Sequence, residues 1–167
     1  MSDGPVVLLA AGGTGGHLFP AQALAQALIG RGAVIHLATD ERASRYGGAF
    51  PAQEIHQIAS ATPSGRSPLG MARAAIMLGR GLLASYGLVG RLRPAVVVGF
   101  GGYPTVPPVL AAALRGLPTV IHEQNGVIGR ANRMLAARAS VIATGFETVR
   151  GIAPALQAKL VHTGNPV

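Results

Sequence analysis

Seven short apolar runs, at residues 6–11, 34–38, 54–58, 95–98, 119–122, 140–143 and 160–162, are separated by glycine- or proline-bounded joints and segments of helical character. Within the runs the apolar positions are mostly continuous rather than alternating, as in "AVVVG" and "PTVIHE". That pattern belongs to strands covered by helices on both faces. It predicts an α/β fold with a doubly wound parallel sheet of about seven strands. The segment from Arg66 to Pro94 reads as a helix from Leu69 onward, despite Gly79, Gly81, Gly87 and Gly90. At ~100° per residue, Met71, Leu78, Leu82, Tyr86 and Val89 form the expected core face. The opposite side carries Arg66, Arg73, Arg80 and Arg91, flanked by Leu69, Ile76, Met77 and Leu88.

Composition narrows this picture. A chain of 167 residues, 49% hydrophobic and 12% charged, is expected to be one domain with a real core, and disorder is excluded. There is no cysteine, hence no disulfide framework or thiolate metal site. No pair of histidines has metal-ligand spacing, so neither a metal nor another cofactor is expected, and His36, His56 and His162 read as structural. The N-terminus "MSDGPVVLLAAGG" reaches glycine too early for a secretory signal, which points to a cytosolic chain. The longest uncharged stretch, residues 95–114, is broken by Gly99, Gly101, Gly102, Pro104, Pro107 and Pro108 and is not expected to cross a bilayer.

The net charge is +8, and no acidic residue lies between Glu54 and Glu123, a window holding Arg66, Arg73, Arg80, Arg91, Arg93 and Arg115. Such a surface seeks phosphate. Arginines set among exposed apolar side chains suit an anionic lipid surface. A nucleic-acid partner is not expected, because aromatics are only 4% of the chain and tryptophan is absent, leaving no base-stacking surface.

In doubly wound sheets ligands bind beyond the carboxyl ends of the strands. The segments found there are "GGTGGH", "GFGGYP" and "HEQNG". The first two share a Gly-x-Gly-Gly pattern, at Gly13–His17 and Gly99–Tyr103. A glycine-rich turn opening a helix brings bare amides and a positive helix end to an anion, although a tight strand-to-helix turn would explain it equally. Neither Gly-Lys-Ser/Thr nor G-x-G-x-x-G is present, which argues against triphosphate and dinucleotide binding. His17 stands at the helix start, where the dipole disfavours an imidazolium, and is a candidate general base. Glu123, one of only six carboxylates, is a second candidate, with a loop-stabilising hydrogen bond as its alternative role.

Taken in order and spacing, "GGTGGHLFP", "GFGGYPTVP", "HEQNGVIGRAN" and the closing "GNPV" resemble the N-terminal half of the MurG family, the bacterial glycosyltransferases of lipid II synthesis. The resemblance runs the length of the chain. It implies one Rossmann-like domain over residues 1–167, the acceptor- and membrane-side half of a GT-B enzyme. The family's C-terminal donor-binding domain is absent from this chain, so the chain alone is expected to be inactive. The implied reaction moves GlcNAc from UDP-N-acetylglucosamine to the MurNAc 4-hydroxyl of lipid I, with inversion and without a metal. The implied location is the cytoplasmic face of the bacterial inner membrane, held peripherally.

Residue by residue, the resemblance places Thr14, Gly15, Gly16 and Asn125 against the donor and makes His17 catalytic. It sets Tyr103, His122 and Glu123 on the acceptor side, with the loop glycines, Gly101 and Gly102 among them, meeting the acceptor diphosphate. An alternative identity is a non-catalytic membrane-docking half of a split GT-B enzyme.

Overall fold

A computed structural model describes residues 4–42, 50–60 and 68–167. The seven apolar runs are its seven strands, each end within one residue of expectation: β1 (Val6–Ala10), β2 (Val34–Thr39), β3 (Glu54–Gln57), β4 (Val96–Gly99), β5 (Thr119–Glu123), β6 (Val141–Thr144) and β7 (Leu160–His162). They form one parallel sheet in the order β3-β2-β1-β4-β5-β6-β7. The chain winds outward from β1 to β3 and then crosses back to β4, so the strand order reverses between β1 and β4. Ligand crevices open at such a reversal.

Strand alternation divides the core into two layers. Val7 and Leu9 of β1 face the layer that holds Leu18, Ala21 and Ala25 of α1 (Gly15–Ile29). Leu8 and Ala10 face the other layer, beneath α2 (Pro68–Leu92), α3 (Val106–Leu114) and α4 (Arg130–Leu135). The covered strands thus bury both faces, which is why their sequences read as unbroken apolar runs.

Helix α2 forms where expected, and Val89, Leu78 and Leu82 of the expected face do meet the core, but the helix is turned partly away from Met71 and Tyr86. Its buried residues are Ala74, Gly81, Ser85, Leu88 and Val89. Met71 and Tyr86, expected in the core, are 60% and 42% exposed, whereas Leu88, expected beside the arginines, is buried. The cause is close approach. A Cβ at Gly81 would collide with the Ala59 carbonyl and press on Pro107 of α3, so α2 makes its close approach through small residues, with Leu88 and Val89 buried beside them. Tyr86 is held from outside. The Arg115 guanidinium sits 3.8 Å from its ring centroid, and Arg115 Nε donates to the Tyr86 carbonyl at 2.9 Å.

The outward stripe of α2 is Leu69, Arg73, Ile76, Arg80 and Leu83, all exposed and within ~80° of one another at ~100° per residue. Leu83 joins the expected set. Met77 does not, being half-buried over a cavity shared with Asp40, Gln57 and Ile58. Arg91 is exposed near the far end of the helix. The expected Arg66 lies outside the described residues. Among those residues, no helix is long and apolar enough to cross a membrane.

Candidate active site

The two glycine loops meet at the reversal. The Gly12 amide donates to the Gly101 carbonyl at 3.0 Å, and the Phe100 amide to the Ala10 carbonyl at 2.8 Å, tying the end of β1 to that of β4. Thr105 Oγ1 fastens the second loop, donating to the Gly101 carbonyl at 2.6 Å. His17 is wedged between them. Its ring lies 3.1–3.3 Å from where a Cβ on Gly12, Gly101 or Gly102 would stand. Glycine at all three positions is what admits the imidazole.

Helix α1 begins at Gly15 with Thr14 as N-cap, and the Thr14 hydroxyl makes no capping bond. The His17 and Leu18 amides fold back onto the Thr14 carbonyl, both at 3.0 Å. The Gly15 and Gly16 amides, in the first turn, have no intrahelical acceptor. They point the positive end of a fifteen-residue helix toward the crevice.

Glu123, 2% exposed at the end of β5, meets the site differently. Its Oε1 accepts from the Asn125 amide at 3.0 Å and from Asn125 Nδ2 at 2.9 Å. Its Oε2 accepts from the Gly129 amide at 2.8 Å and from Asn132 Nδ2 at 2.9 Å. A carboxylate has about four lone-pair positions, and here all are filled. This arrangement orders the loop and leaves no lone pair for a substrate proton, which is the second of the two roles open to Glu123 in the sequence.

A cavity of about 260 Å³ is lined by His17, Gly101, Gly102, Tyr103, Glu123, Asn125, Arg130 and Asn132, together with Gly129 and Ala131. Gly15 and Gly16 line a separate, more open groove of about 580 Å³, with Phe19, Gln124 and Asn165. Two buried polar atoms of the small cavity's wall have no hydrogen-bond partner: His17 Nδ1 and Asn132 Oδ1.

His122 is not part of this cavity. Neighbouring strand residues face opposite ways, so its ring turns toward Phe100, centroid to centroid 5.6 Å. Its Nε2 donates to the Gly164 carbonyl at 3.0 Å. Burial pushes its pKa below the ordinary histidine value, opposed by the Gly164 bond and the Glu123 charge.

Two wall residues were not foreseen. Arg130 and Asn132 lie in the first turn of the short helix α4, within "HEQNGVIGRAN", where sequence reasoning assigned them no role. The signal was an asparagine in an otherwise helical segment, a residue that helices disfavour unless its amide is engaged elsewhere. No metal-ligand group lies at this site among the described residues. One lies elsewhere: His36 and His56, read as structural from the sequence, and Glu54 bring donor atoms within 4.8 Å of one another.

Residues 7–144 match the glycosyltransferase family 28 N-terminal domain. A UDP-N-acetylglucosamine--N-acetylmuramyl-(pentapeptide) pyrophosphoryl-undecaprenol N-acetylglucosamine transferase of Methylobacterium sp. (strain 4-46) is 63% identical over 98% of this chain and 44% of its own length. The protein of the same name from Sinorhizobium medicae is 58% identical over 99% of this chain and 44% of its own. The crystal structure of Acinetobacter baumannii MurG superposes with a TM-score of 0.80 at 29% identity, covering 98% of this chain and 46% of that one. A UDP-N-acetylglucosamine 2-epimerase, 15% identical with a TM-score of 0.68, shares the fold over 98% of this chain and 49% of its own. The chain therefore spans less than half the length of the curated relatives it matches, and it belongs to the glycosyltransferase family 28 N-terminal domain family.

Proposed function

We propose that the chain is the acceptor-side half of an inverting glycosyltransferase that moves GlcNAc from UDP-GlcNAc to the MurNAc 4-hydroxyl of an undecaprenyl-diphosphate-linked MurNAc-pentapeptide. The names of its relatives support the substrates. The observation that carries the chemistry is the imidazole of His17, clamped between two glycine loops and lining a small cavity, with its buried Nδ1 unpaired.

In this reading His17 takes the proton of the attacking hydroxyl as its oxygen bonds to the anomeric carbon and UDP departs from the opposite face. Asn132, buried in the cavity wall, braces Glu123 through its Nδ2. Arg130 and the free Gly15 and Gly16 amides face the diphosphate charges. Thr14 and Asn125 present side chains to the donor. Tyr103 covers the acceptor ring. Glu123 positions the loop that carries Asn125 and Asn132 and takes no proton.

The Leu69, Arg73, Ile76, Arg80 and Leu83 stripe supports peripheral docking to an anionic cytoplasmic leaflet, where a polyprenyl-linked acceptor resides. Near such a surface each arginine is worth about 1 kcal/mol. Arg73→Glu with Arg80→Glu should abolish sedimentation with phosphatidylglycerol-rich vesicles. Equal binding to neutral vesicles would refute the docking face.

The reaction is tested by radiolabelled GlcNAc transfer to a soluble acceptor analogue. The full-length enzyme should transfer, while the 167-residue chain alone should not, since it supplies one wall of the cleft. Transfer by the chain alone would overturn the division of labour.

A further inference from the structure

At the edge of the sheet farthest from β7, strand pairing assembles a second constellation that has no part in the proposed transfer. Parallel register sets His36 of β2 beside Glu54 of β3, and His56 follows two residues later on the same face of β3. His36 Nδ1 and His56 Nε2 stand 3.0 Å apart. Glu54 Oε2 is 4.0 Å from His36 Nδ1, and Glu54 Oε1 is 3.6 Å from His56 Nδ1. One suitable donor atom from each residue lies within 4.8 Å of the others.

We propose that His36, His56 and Glu54 form a binding site for a first-row divalent transition metal of the zinc class, fastening the edge strand β3 to β2. Two ligands on one such ion, each bonded at about 2.0–2.1 Å, stand roughly 3.3 Å apart in tetrahedral geometry. The two imidazole nitrogens are already close to that separation. The two nitrogens share a hydrogen bond, so binding an ion moves the donor ring's proton to its other nitrogen, a tautomer shift open to a neutral imidazole; the rings are nearly parallel, 14° apart with centroids at 5.3 Å.

The Glu54 side chain is 62% exposed and free to swing one oxygen inward from the edge strand. Burial lowers the pKa of both histidines, keeping the neutral, ligating form at neutral pH. Two imidazoles and one carboxylate favour zinc, cobalt or nickel over magnesium and calcium, which want oxygen-rich shells. The facing charge on α2 is Arg91, whose cation acts on His56 and opposes metal binding, so a moderate affinity is expected.

The test is zinc titration of tag-free, metal-stripped chain by calorimetry, with a parallel cobalt titration read by visible absorption. The expected result is one saturable zinc site per chain and a cobalt spectrum of low-coordinate type. Glu54→Gln and His56→Gln should each weaken zinc at least roughly tenfold, and excess magnesium should not compete. Glu54 is exposed, so its substitution reads ligation rather than folding even where His56→Gln perturbs the sheet. Unsaturable binding, or the same affinity in Glu54→Gln and the parent, overturns the site.

Discussion

After β4, Gly101 and Gly102 take φ of +94° and +78°, a region costly for any residue with a Cβ, and a Cβ on either would press on the His17 ring, at Gly102 on Gly12 as well. After β1, Gly15 and Gly16 have no positive φ, and a Cβ on Gly16 would meet nothing within 4 Å. The loops share a Gly-x-Gly-Gly pattern, yet one needs glycine for its own backbone, whereas in the other Gly15 makes room for the Phe19 ring and Gly16 alone stands in open space. The loop after β5 supplies a third solution. There the amides of Asn125 and Gly129 are satisfied by the protein's own anion, Glu123, so the backbone of that loop needs no substrate to complete it. A loop with internal charge neutralisation is scaffold. A loop with unspent donors is a binding surface.

The largest expected effect falls where the loops converge. His17→Ala in the full-length enzyme should lower kcat roughly 10²- to 10⁴-fold with little change in donor KM, because a base acts on the reacting proton rather than on ground-state binding. Steady-state kinetics with both substrates varied checks this. A loss under about tenfold would mean that the loops enclose His17 for packing alone.

The scaffold loop responds in stability first. Glu123→Gln replaces one acceptor oxygen by an amide facing two donors, leaving buried N–H groups unpaired at a cost of about 3 kcal/mol. For a chain of this size that lowers Tm by about 6–12 °C. If calorimetry found Tm unchanged while activity vanished, Glu123 would be a proton carrier after all, and the contrast between scaffold and binding loops would fail.

Gly101→Ala comes next. The left-handed backbone and the methyl's 3.1 Å approach to His17 Cε1 together cost about 2 kcal/mol. Chemical denaturation measures it. Activity should fall as well, since the clash displaces the imidazole, and the two losses should appear together in this loop only.

The strands were legible because covered parallel strands leave unbroken apolar runs, and all seven emerged from that pattern alone. The glycine loops and His17 were legible because they follow apolar runs, at the carboxyl ends of parallel strands where ligands bind. Three features were not fully so. The face of α2 was legible at Leu78, Leu82 and Val89 but not at its other edge, because hydrophobicity says nothing of how closely a helix can approach, and Gly81 and Ser85 are buried where Met71 and Tyr86 were expected. His122 shares "HEQN" with Glu123 but points to the opposite side of the sheet, a parity that the motif alone does not encode. His36 and His56 are twenty residues apart, and only the register of β2 against β3 joins them.

The smallest change should come from Gly16→Ala, and it separates the two kinds of glycine most cleanly. In the first turn of α1, alanine replaces the residue with the greatest backbone freedom by the best helix former, which is worth up to about 1 kcal/mol in favour of the folded state. No atom stands in the methyl's way. The Tm should therefore hold or rise by up to about 4 °C, opposite in sign to Gly101→Ala. Substrate binding should move the other way. A methyl at the open helix end holds an anion away from the Gly15 and Gly16 amides, so KM should rise while kcat changes less. If KM stayed at the parent value in a variant of equal or higher Tm, the amides would face only water, and the β1 loop would be as much a scaffold as the loop after β5.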